Sequence, residues 1–392
     1  MKKISIAHAV SSLHPSAGGT SRVVCDLTEA LARQAGISVS LITQSLQGER
    51  ILPASSNSVC RVVAETASAP ALRFGVPQQR VLAHCLKNTP LDLVHTHGLW
   101  EPAMHWANIL SRKHAVPYII QPHGMLEPWA LHHAAWKKWK KRLALKLYQH
   151  RDLQLADLLV ATSQDEYRNI RKLGIAQPVA IIPNGVPFDA TAAAMGRTVA
   201  NPLVKKALFL SRIHPIKGLL NLMAAWAELK PARWRLVIAG PDEGGHLAEV
   251  MAAARAHGIA DVVDYVGEVE GEKKAVIYQE ADIFVLPTFS ENFGVVVVEA
   301  LSHGLPVITT KGAPWGDLVK HGCGWWIDTG VEPLAAALGE ATNLSDDERR
   351  NMGKRGRVYA RRYDWNDIAK QTVEVYRWIL GQAPLPNCVY LD

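Results

Sequence analysis

The chain has 392 residues, 48% hydrophobic and 20% charged, with a net charge of +7; that length predicts two or three domains, and the composition is that of an ordinary globular protein. Five cysteines (25, 60, 85, 323 and 388), odd in number and without a Cys-x-x-Cys pair, argue against a disulfide framework or a zinc site and fit a reducing cytoplasm. Seven of the Lys and Arg residues fall between His132 and Arg151 with no acid among them, while the rest of the chain balances at 36 against 36, so the basicity is one local feature and a general nucleic-acid-binding surface is disfavoured.

The opening Met1–Val10 carries two lysines and an Ala-x-Ala, but its apolar part is too short for a signal peptide and is broken by Ser5 and His8; Lys3–Val10 predicts a buried strand instead. Gly18 and Gly19 follow, then helical spacing from Thr20 to Gln34 with Gly36 as a stop. Ile37–Thr43, Asp92–Thr96, Val116–Gln121 and Leu158–Thr162 predict further strands. Strands alternating with helices imply a parallel sheet covered on both faces, with ligands at the carboxyl ends of the strands. Several notable residues sit at such ends. Gly18-Gly19 lets the backbone approach a phosphate closely, although a bare Gly-Gly more often marks a plain turn, and this pair is neither a Walker loop nor Gly-x-Gly-x-x-Gly. His95 and His97 suggest a metal, but no third ligand stands at ligand spacing and no metal is expected. His123-Gly124 ends another strand.

From His132 to Arg151 the chain is basic and Trp-bearing. Trp136, Trp139, Leu143 and Leu147 fall in one helical stripe, with Lys137, Lys138, Lys140 and Lys141 on the other faces. This pattern suits a helix lying on an anionic membrane, and equally a helix packed by its apolar stripe with a solvated basic back. Trp129 is one of five tryptophans within 40 residues (100, 106, 129, 136, 139), which favours a surface for an amphipathic acceptor. No run reaches the roughly 18 apolar residues that would span a membrane.

The strand at Val179–Ile182 runs into Pro183-Asn184-Gly185 and a polar, Ala-rich stretch to about Pro202, which predicts a domain boundary: 1–186 as a first domain, 187–202 as a linker, 203–364 as a second domain and 365–392 as a final helix and tail. In the second half Ala207–Ile213, Trp234–Gly240, Val262–Gly267, Ile283–Pro287 and Val307–Thr310 predict strands, and the region from about Glu332 to Gly381 is helical. Arg212 and Lys217 straddle a turn that opens a helix, where two cations suit a pyrophosphate. Glu291 lies in the polar turn after Pro287, and Glu299 lies eight residues on. The four valines 295–298 favour a strand by propensity. The strand just ended, the stop at Gly304 and the run opened by Pro306 predict a buried helix over 294–303 instead. Asn292, Phe293 and Gly294 would open it with free backbone N–H groups. A carboxylate there accepts hydrogen bonds from vicinal hydroxyls, and the helix start tolerates a phosphate.

These motifs, in this order, resemble the GT-B glycosyltransferases of family 4, bacterial surface-polysaccharide enzymes among them. The likeness rests on Gly18-Gly19, His123-Gly124, Arg212…Lys217 and Glu291…Glu299, and runs over roughly residues 3–380. It implies an α/β fold of two doubly wound Rossmann-like domains facing across a cleft, the last helix, Trp365–Leu380, crossing back to the first. It implies a retaining, metal-independent hexosyltransferase using a nucleotide-diphosphate sugar, consistent with the lack of an Asp-x-Asp, and no cofactor. By resemblance Glu291 and His123 contact the transferred sugar, Arg212 and Lys217 neutralise the diphosphate, and Glu299 holds the ribose. Gly18 and Gly19 line the cleft, Gly267 and Glu268 lie in the loop that holds the base, and the backbone of Asn292, Phe293 and Gly294 receives sugar hydroxyls or phosphate. The acceptor would be a glycan or lipid-linked glycan met by the first domain and the Trp129–Lys141 surface. The expected place is the cytoplasm, at the inner face of the inner membrane. The alternatives are a nucleotide-sugar epimerase or hydrolase on the same fold, and a non-catalytic nucleotide-sugar-binding protein.

Overall fold

Runs such as Ile4-Ser5-Ile6-Ala7 and Ile283-Phe284-Val285-Leu286 are almost continuously apolar, as strands buried on both faces of a parallel sheet must be. In the computed structural model, which describes residues 3–129, 143–188 and 204–392, both runs are strands at the centre of a sheet, with Ile4, Ile6, Ala7 and all of Ile283–Leu286 fully buried. The chain divides into two units, Met1–Gly185 with Trp365–Asp392, and Val186–Asp364.

The first unit holds strands β1 (Ile4–Val10), β2 (Ile37–Leu46), β3 (Cys60–Thr66), β4 (Leu93–His97), β5 (Tyr118–Gln121), β6 (Leu158–Ala161) and β7 (Val179–Ile181). Among its helices are α1 (Gly19–Ala32), α2 (Pro102–Lys113) and α3 (Gln164–Lys172). The sheet order is β3-β2-β1-β4-β5-β6-β7, all parallel. Order reverses between β1 and β4, the switch point at which such sheets take ligands.

The second unit repeats the plan with β8 (Lys205–Leu210), β9 (Trp234–Ala239), β10 (Val263–Tyr265), β11 (Ile283–Leu286), β12 (Val307–Thr310) and β13 (Gly324–Ile327), ordered β10-β9-β8-β11-β12-β13 and all parallel. Its switch point lies between β8 and β11. Its helices include α4 (Leu219–Leu229), α5 (Gly271–Glu280), α6 (Val295–Ser302), α7 (Val331–Asn343) and α8 (Asp346–Ala360). The four valines are helical, burying Val297, Val298, Ala300 and Leu301; burial against the sheet overrides their strand propensity.

The last helix, α9 (Trp365–Ile379), buries Trp365, Ile368, Ala369, Thr372 and Tyr376 at helical spacing and packs on α1 within the first unit. The residues beyond it, expected as a tail, add a short strand β14 (Val389–Tyr390), antiparallel to β7, and Tyr167 Oη donates to Asp392 Oδ1 at 2.9 Å. Strands β3, β13 and β14 escape a reading by pattern. Each lies at or beside a sheet edge, where β3 is mostly half-exposed and no residue of β13 is fully buried. Most of the expected 187–202 linker lies outside the described residues.

Candidate functional site

In the second unit the loops after β8 and β11 leave from the two sides of the switch point. A 3-10 turn, Pro215–Lys217, starts with the His214 ring accepting from Ile216 N at 3.1 Å, and Gly218 (φ +73°) turns the chain into α4. The loop after β11 is tied to that turn, since Phe289 N and Thr288 Oγ1 donate to Ile216 O at 2.7 and 3.1 Å. The two segments carry Lys217 and Glu291 to one point: Lys217 Nζ lies 2.5 Å from Glu291 Oε2, with side-chain exposures of 7% and 17%. Glu291 N donates to Gly312 O at 2.8 Å, which fixes the backbone on which its carboxylate stands. Arg212 is exposed and paired with the Glu243 carboxylate, a partner not evident from spacing.

Gly294 (φ +78°) precedes α6, and no side chain caps that helix. The first N–H groups of a helix have no intrahelical acceptor, so its start is available to an acceptor such as a phosphate or sugar oxygen. Phe293 O accepts from Trp315 Nε1 at 2.5 Å, and Asn292 stands half-buried beside it. One turn into α6, Glu299 is gripped from α5. Lys274 Nζ lies 2.5 Å from Oε1, and Tyr278 Oη donates to Oε2 at 2.9 Å. Burial and the Glu299 charge push the Tyr278 phenol well above its usual range, so it remains a donor at neutral pH. After β10, Gly267 O accepts from Gly240 N at 2.8 Å, and the Glu268 side chain is exposed.

In the first unit a cavity of about 480 Å³ opens at the carboxyl ends of β1 and β4, lined by Ser11, Ser12, Thr20, His97, Trp100 and His123 among others. Gly18 (φ +85°) leads into α1, which no side chain caps, and a Cβ on Gly18 or Gly19 would meet nothing within 4 Å. Backbone conformation therefore calls for glycine at Gly18 alone, and both positions face open space rather than a protein contact. His123 (φ +54°) and Trp100 (φ +73°) hold the left-handed conformation that costs a non-glycine residue free energy. Glu166, buried on α3, fixes the turn behind His123. It accepts from Gly124 N at 2.5 Å and from Thr162 N and Oγ1 at 2.7 and 2.8 Å.

Strand register adds what spacing missed. Because β1 pairs with β4, His8 sits beside His95. His8 Nδ1 lies 2.9 Å from His97 Nε2, and His97 Nδ1 lies 3.0 Å from His123 Nε2. Tyr376 Oη, from α9, lies 2.7 Å from His95 Nδ1 and 3.4 Å from His8 Nε2. His8, His95 and His97 are at most 2% exposed. Burial lowers His8 and His123 to about 3, and holds His95 and His97 well below the ordinary imidazole value with help from the neighbouring rings. Nitrogens of His8, His95 and His97 lie within 4.8 Å of one another, a set able to hold a metal ion. The third histidine absent from the local sequence is thus supplied by a neighbouring strand.

Trp129 is half-buried; Trp136, Lys137, Lys138, Trp139, Lys140 and Lys141 lie outside the described residues. No helix among the described residues is long and apolar enough to cross a membrane.

Residues 17–190 match the model of Glycosyltransferase Family 4, and residues 197–359 match that of Glycosyl transferases group 1. D-inositol 3-phosphate glycosyltransferase 2 of Catenulispora acidiphila is 30% identical over 304 residues, 73% of this chain and 70% of that protein. GDP-mannose:cellobiosyl-diphosphopolyprenol alpha-mannosyltransferase of Xanthomonas oryzae pv. oryzae is 23% identical over 392 residues, 96% and 97% of the two chains. Among solved structures, sucrose-phosphate synthase from Thermosynechococcus elongatus has the same fold, with a TM-score of 0.75 at 21% identity over 97% of this chain and 100% of that one.

Proposed function

The chain belongs to the group 1, family 4 glycosyltransferases of GT-B fold, and from that premise we propose that it moves a hexose-type sugar from a nucleotide-diphosphate sugar to a glycan or lipid-linked acceptor of a bacterial surface polysaccharide, with retention and without a metal. The observation that carries the reading is the part-buried Lys217–Glu291 pair at the second unit's switch point, with Glu299 on the helix that follows. In this reading Glu291 accepts hydrogen bonds from sugar hydroxyls, Glu299 from the ribose, and Arg212 and Lys217 carry the diphosphate. His123 meets the transferred sugar. The acceptor lies against the first unit's cavity, and Trp129 and the basic segment 132–151 serve an anionic membrane face.

The acceptor hydroxyl attacks the anomeric carbon on the face from which the diphosphate departs. The bond from that carbon to the phosphate oxygen breaks, and the departing oxygen takes the hydroxyl proton. Atoms and charge balance with no enzyme nucleophile. The chain's part is to position the reactants and to stabilise charge on the leaving group, for which Lys217, Arg212 and the uncapped start of α6 are suited. The named substrate of the Xanthomonas relative, a sugar on a diphosphopolyprenol, supports a lipid-linked acceptor.

A thermal-shift screen of UDP-, GDP-, ADP- and dTDP-sugars, with and without magnesium, tests the reading. One nucleotide class should raise the melting temperature equally in both conditions; at a hundredfold excess over Kd, binding stabilises by about 2.7 kcal/mol. No shift with any of them would remove the donor site. Donor breakdown without an acceptor would favour a hydrolase or epimerase.

A further inference from the structure

Four histidines of the first unit and Tyr376 form one hydrogen-bonded file. It runs from His123 Nε2 to His97 Nδ1, from His97 Nε2 to His8 Nδ1, from His8 Nε2 to the Tyr376 hydroxyl, and from that hydroxyl to His95 Nδ1. A neutral imidazole donates through one nitrogen and accepts through the other. With neutral rings, and with the Tyr376 hydroxyl donating to one of its two histidine neighbours, fixing one ring fixes all, and only two arrangements keep every link. Either every ring carries its proton on Nε2 and Tyr376 donates to His95, or every ring carries it on Nδ1 and Tyr376 donates to His8.

The distances select the first. The Tyr376 oxygen is 2.7 Å from His95 and 3.4 Å from His8, and the short contact is the one expected where an O–H donates. The far end is compatible with it: His95 Nε2 has no hydrogen-bond partner among the described residues and lines a small space beside Gln121, Asn184 and Thr372.

We propose that His97, His8, Tyr376 and His95 are positioning residues that hold His123 in its Nε2–H tautomer, so that His123 Nδ1 meets the substrate as a hydrogen-bond acceptor for a sugar hydroxyl. The role of the acceptor rests on the reading above, in which His123 meets the sugar; the order of the file does not. His123 lines the 480 Å³ cavity with Ser11 and Ser12, and Nε2 is the nitrogen taken by His97. The left-handed backbone at His123, held from behind by Glu166, aims the ring into the file. Tyr376 acts on His123 through the His8 and His97 rings without touching it. Such a device separates substrates by their hydroxyls: a sugar with a hydroxyl at the matching position donates to Nδ1, and its deoxy or O-methyl counterpart has no proton to give.

The test is a two-bond 1H–15N correlation spectrum of the full chain labelled with 15N-histidine, recorded near pH 7.5 without ligand. All four rings should show the Nε2–H pattern. A dominant Nδ1–H form at His97 or His123 overturns the proposal. So does one equivalent of metal found by elemental analysis and released with change at His8, His95 and His97, because those rings would be ligands and not links. In Tyr376→Phe, His8 loses its acceptor, and an Nδ1–H signal should appear at His123; an unchanged His123 tautomer overturns the relay. Should that variant fail to fold, the wild-type spectrum still decides. The stabilising nucleotide sugar is then added. A shift at His123 Nδ1, lost with the deoxy sugar, supports the acceptor role, whereas an Nε2–H file with an unmoved His123 overturns that role alone.

Discussion

Lys217 and Glu291, 74 residues apart, form a part-buried ion pair at 2.5 Å where the loops after β8 and β11 meet. The cation proposed for the diphosphate and the carboxylate proposed for the sugar thus neutralise each other in the free chain. Breaking such a pair leaves an uncompensated charge, which costs about 3 kcal/mol when buried. Glu291→Ala should lower the melting temperature and abolish most turnover while nucleotide binding is only modestly weakened, since the nucleotide contacts remain. Lys217→Ala should lower kcat by about 10²–10³-fold, the usual effect of removing one group that stabilises developing charge. Steady-state kinetics with nucleotide binding by calorimetry check both; normal turnover by Glu291→Ala would falsify its sugar-contacting role.

Glu299 is held by Lys274 and Tyr278 before any ligand arrives. If it accepts from ribose hydroxyls, Glu299→Gln should raise the donor KM about tenfold, equivalent to about 1.4 kcal/mol, with kcat little changed. The wild type should discriminate against a deoxyribose donor and Glu299→Gln should not. Tyr278→Phe should fall between them, because it releases one carboxylate oxygen while Lys274 still holds the other. Equal discrimination by wild type and Glu299→Gln would move the ribose site elsewhere.

What the sequence carries locally was legible. Apolar runs predicted the central strands of both sheets, and the valine run was placed in a helix by its neighbours. Gly18-Gly19, Arg212, Lys217, Glu291 and Glu299 drew attention because ligand chemistry at strand ends needs such residues. What needed tertiary pairing was hidden. His8 joins His95 and His97 only through the β1–β4 register, and Tyr376 reaches His95 across 281 residues. Lys274 and Tyr278 are ordinary helix residues until α5 lies beside α6. Glu166 looks like a surface acid of a polar helix, yet its carboxylate is buried under three hydrogen bonds. Strand β14 comes from a proline-bearing tail whose pairing partner is fixed some 200 residues earlier.

Gly218 links Lys217 to α4 in the left-handed region, and a Cβ there would lie 2.0 Å from Pro287 O. Backbone oxygen cannot swing away, so Gly218→Ala must move α4 or the loop that carries Glu291. Strain of this kind, with the loss of a glycine at positive φ, should cost about 1–3 kcal/mol. Activity should fall more than stability implies, because the displaced element positions Lys217. Thermal melts alongside kcat/KM measure both; full activity in a destabilised variant would show that the turn is structural only.

The basic Trp-bearing segment 132–151 makes a separable prediction. Each Lys or Arg near an anionic surface contributes about 1 kcal/mol of attraction. Replacing Lys137, Lys138, Lys140 and Lys141 with glutamine should release the protein from liposomes containing anionic lipid while leaving transfer to a short soluble acceptor intact. Sedimentation with vesicles at two salt concentrations checks it. Unchanged binding would favour a helix packed by its tryptophan stripe.

The buried histidines set the acid limit of the first unit. His8, His95 and His97 titrate near the ordinary imidazole value of about 6.5 once unfolded, but His8 is lowered to about 3 when folded and the other two are also held well down. Between those limits the unfolded chain binds protons that the folded chain does not, so stability rises with pH across this window. It is fully present above about pH 6.5 and is lost as the pH falls toward about 3. Each ring contributes a slope of about 1.4 kcal/mol per pH unit where the two values are well separated. His123 is set aside because it lines the cavity and can be solvated there. Apparent melting temperatures of the wild type should therefore fall steeply from pH 6.5 to 4.5 and stay level from 7 to 8. His8→Gln removes one titrating ring and should flatten that fall by about one ring's share, while lowering stability at pH 7.5 through the broken hydrogen bonds. A wild-type curve that is flat from pH 6.5 to 4.5, or a His8→Gln curve parallel to it, would mean that the rings are not kept neutral by burial.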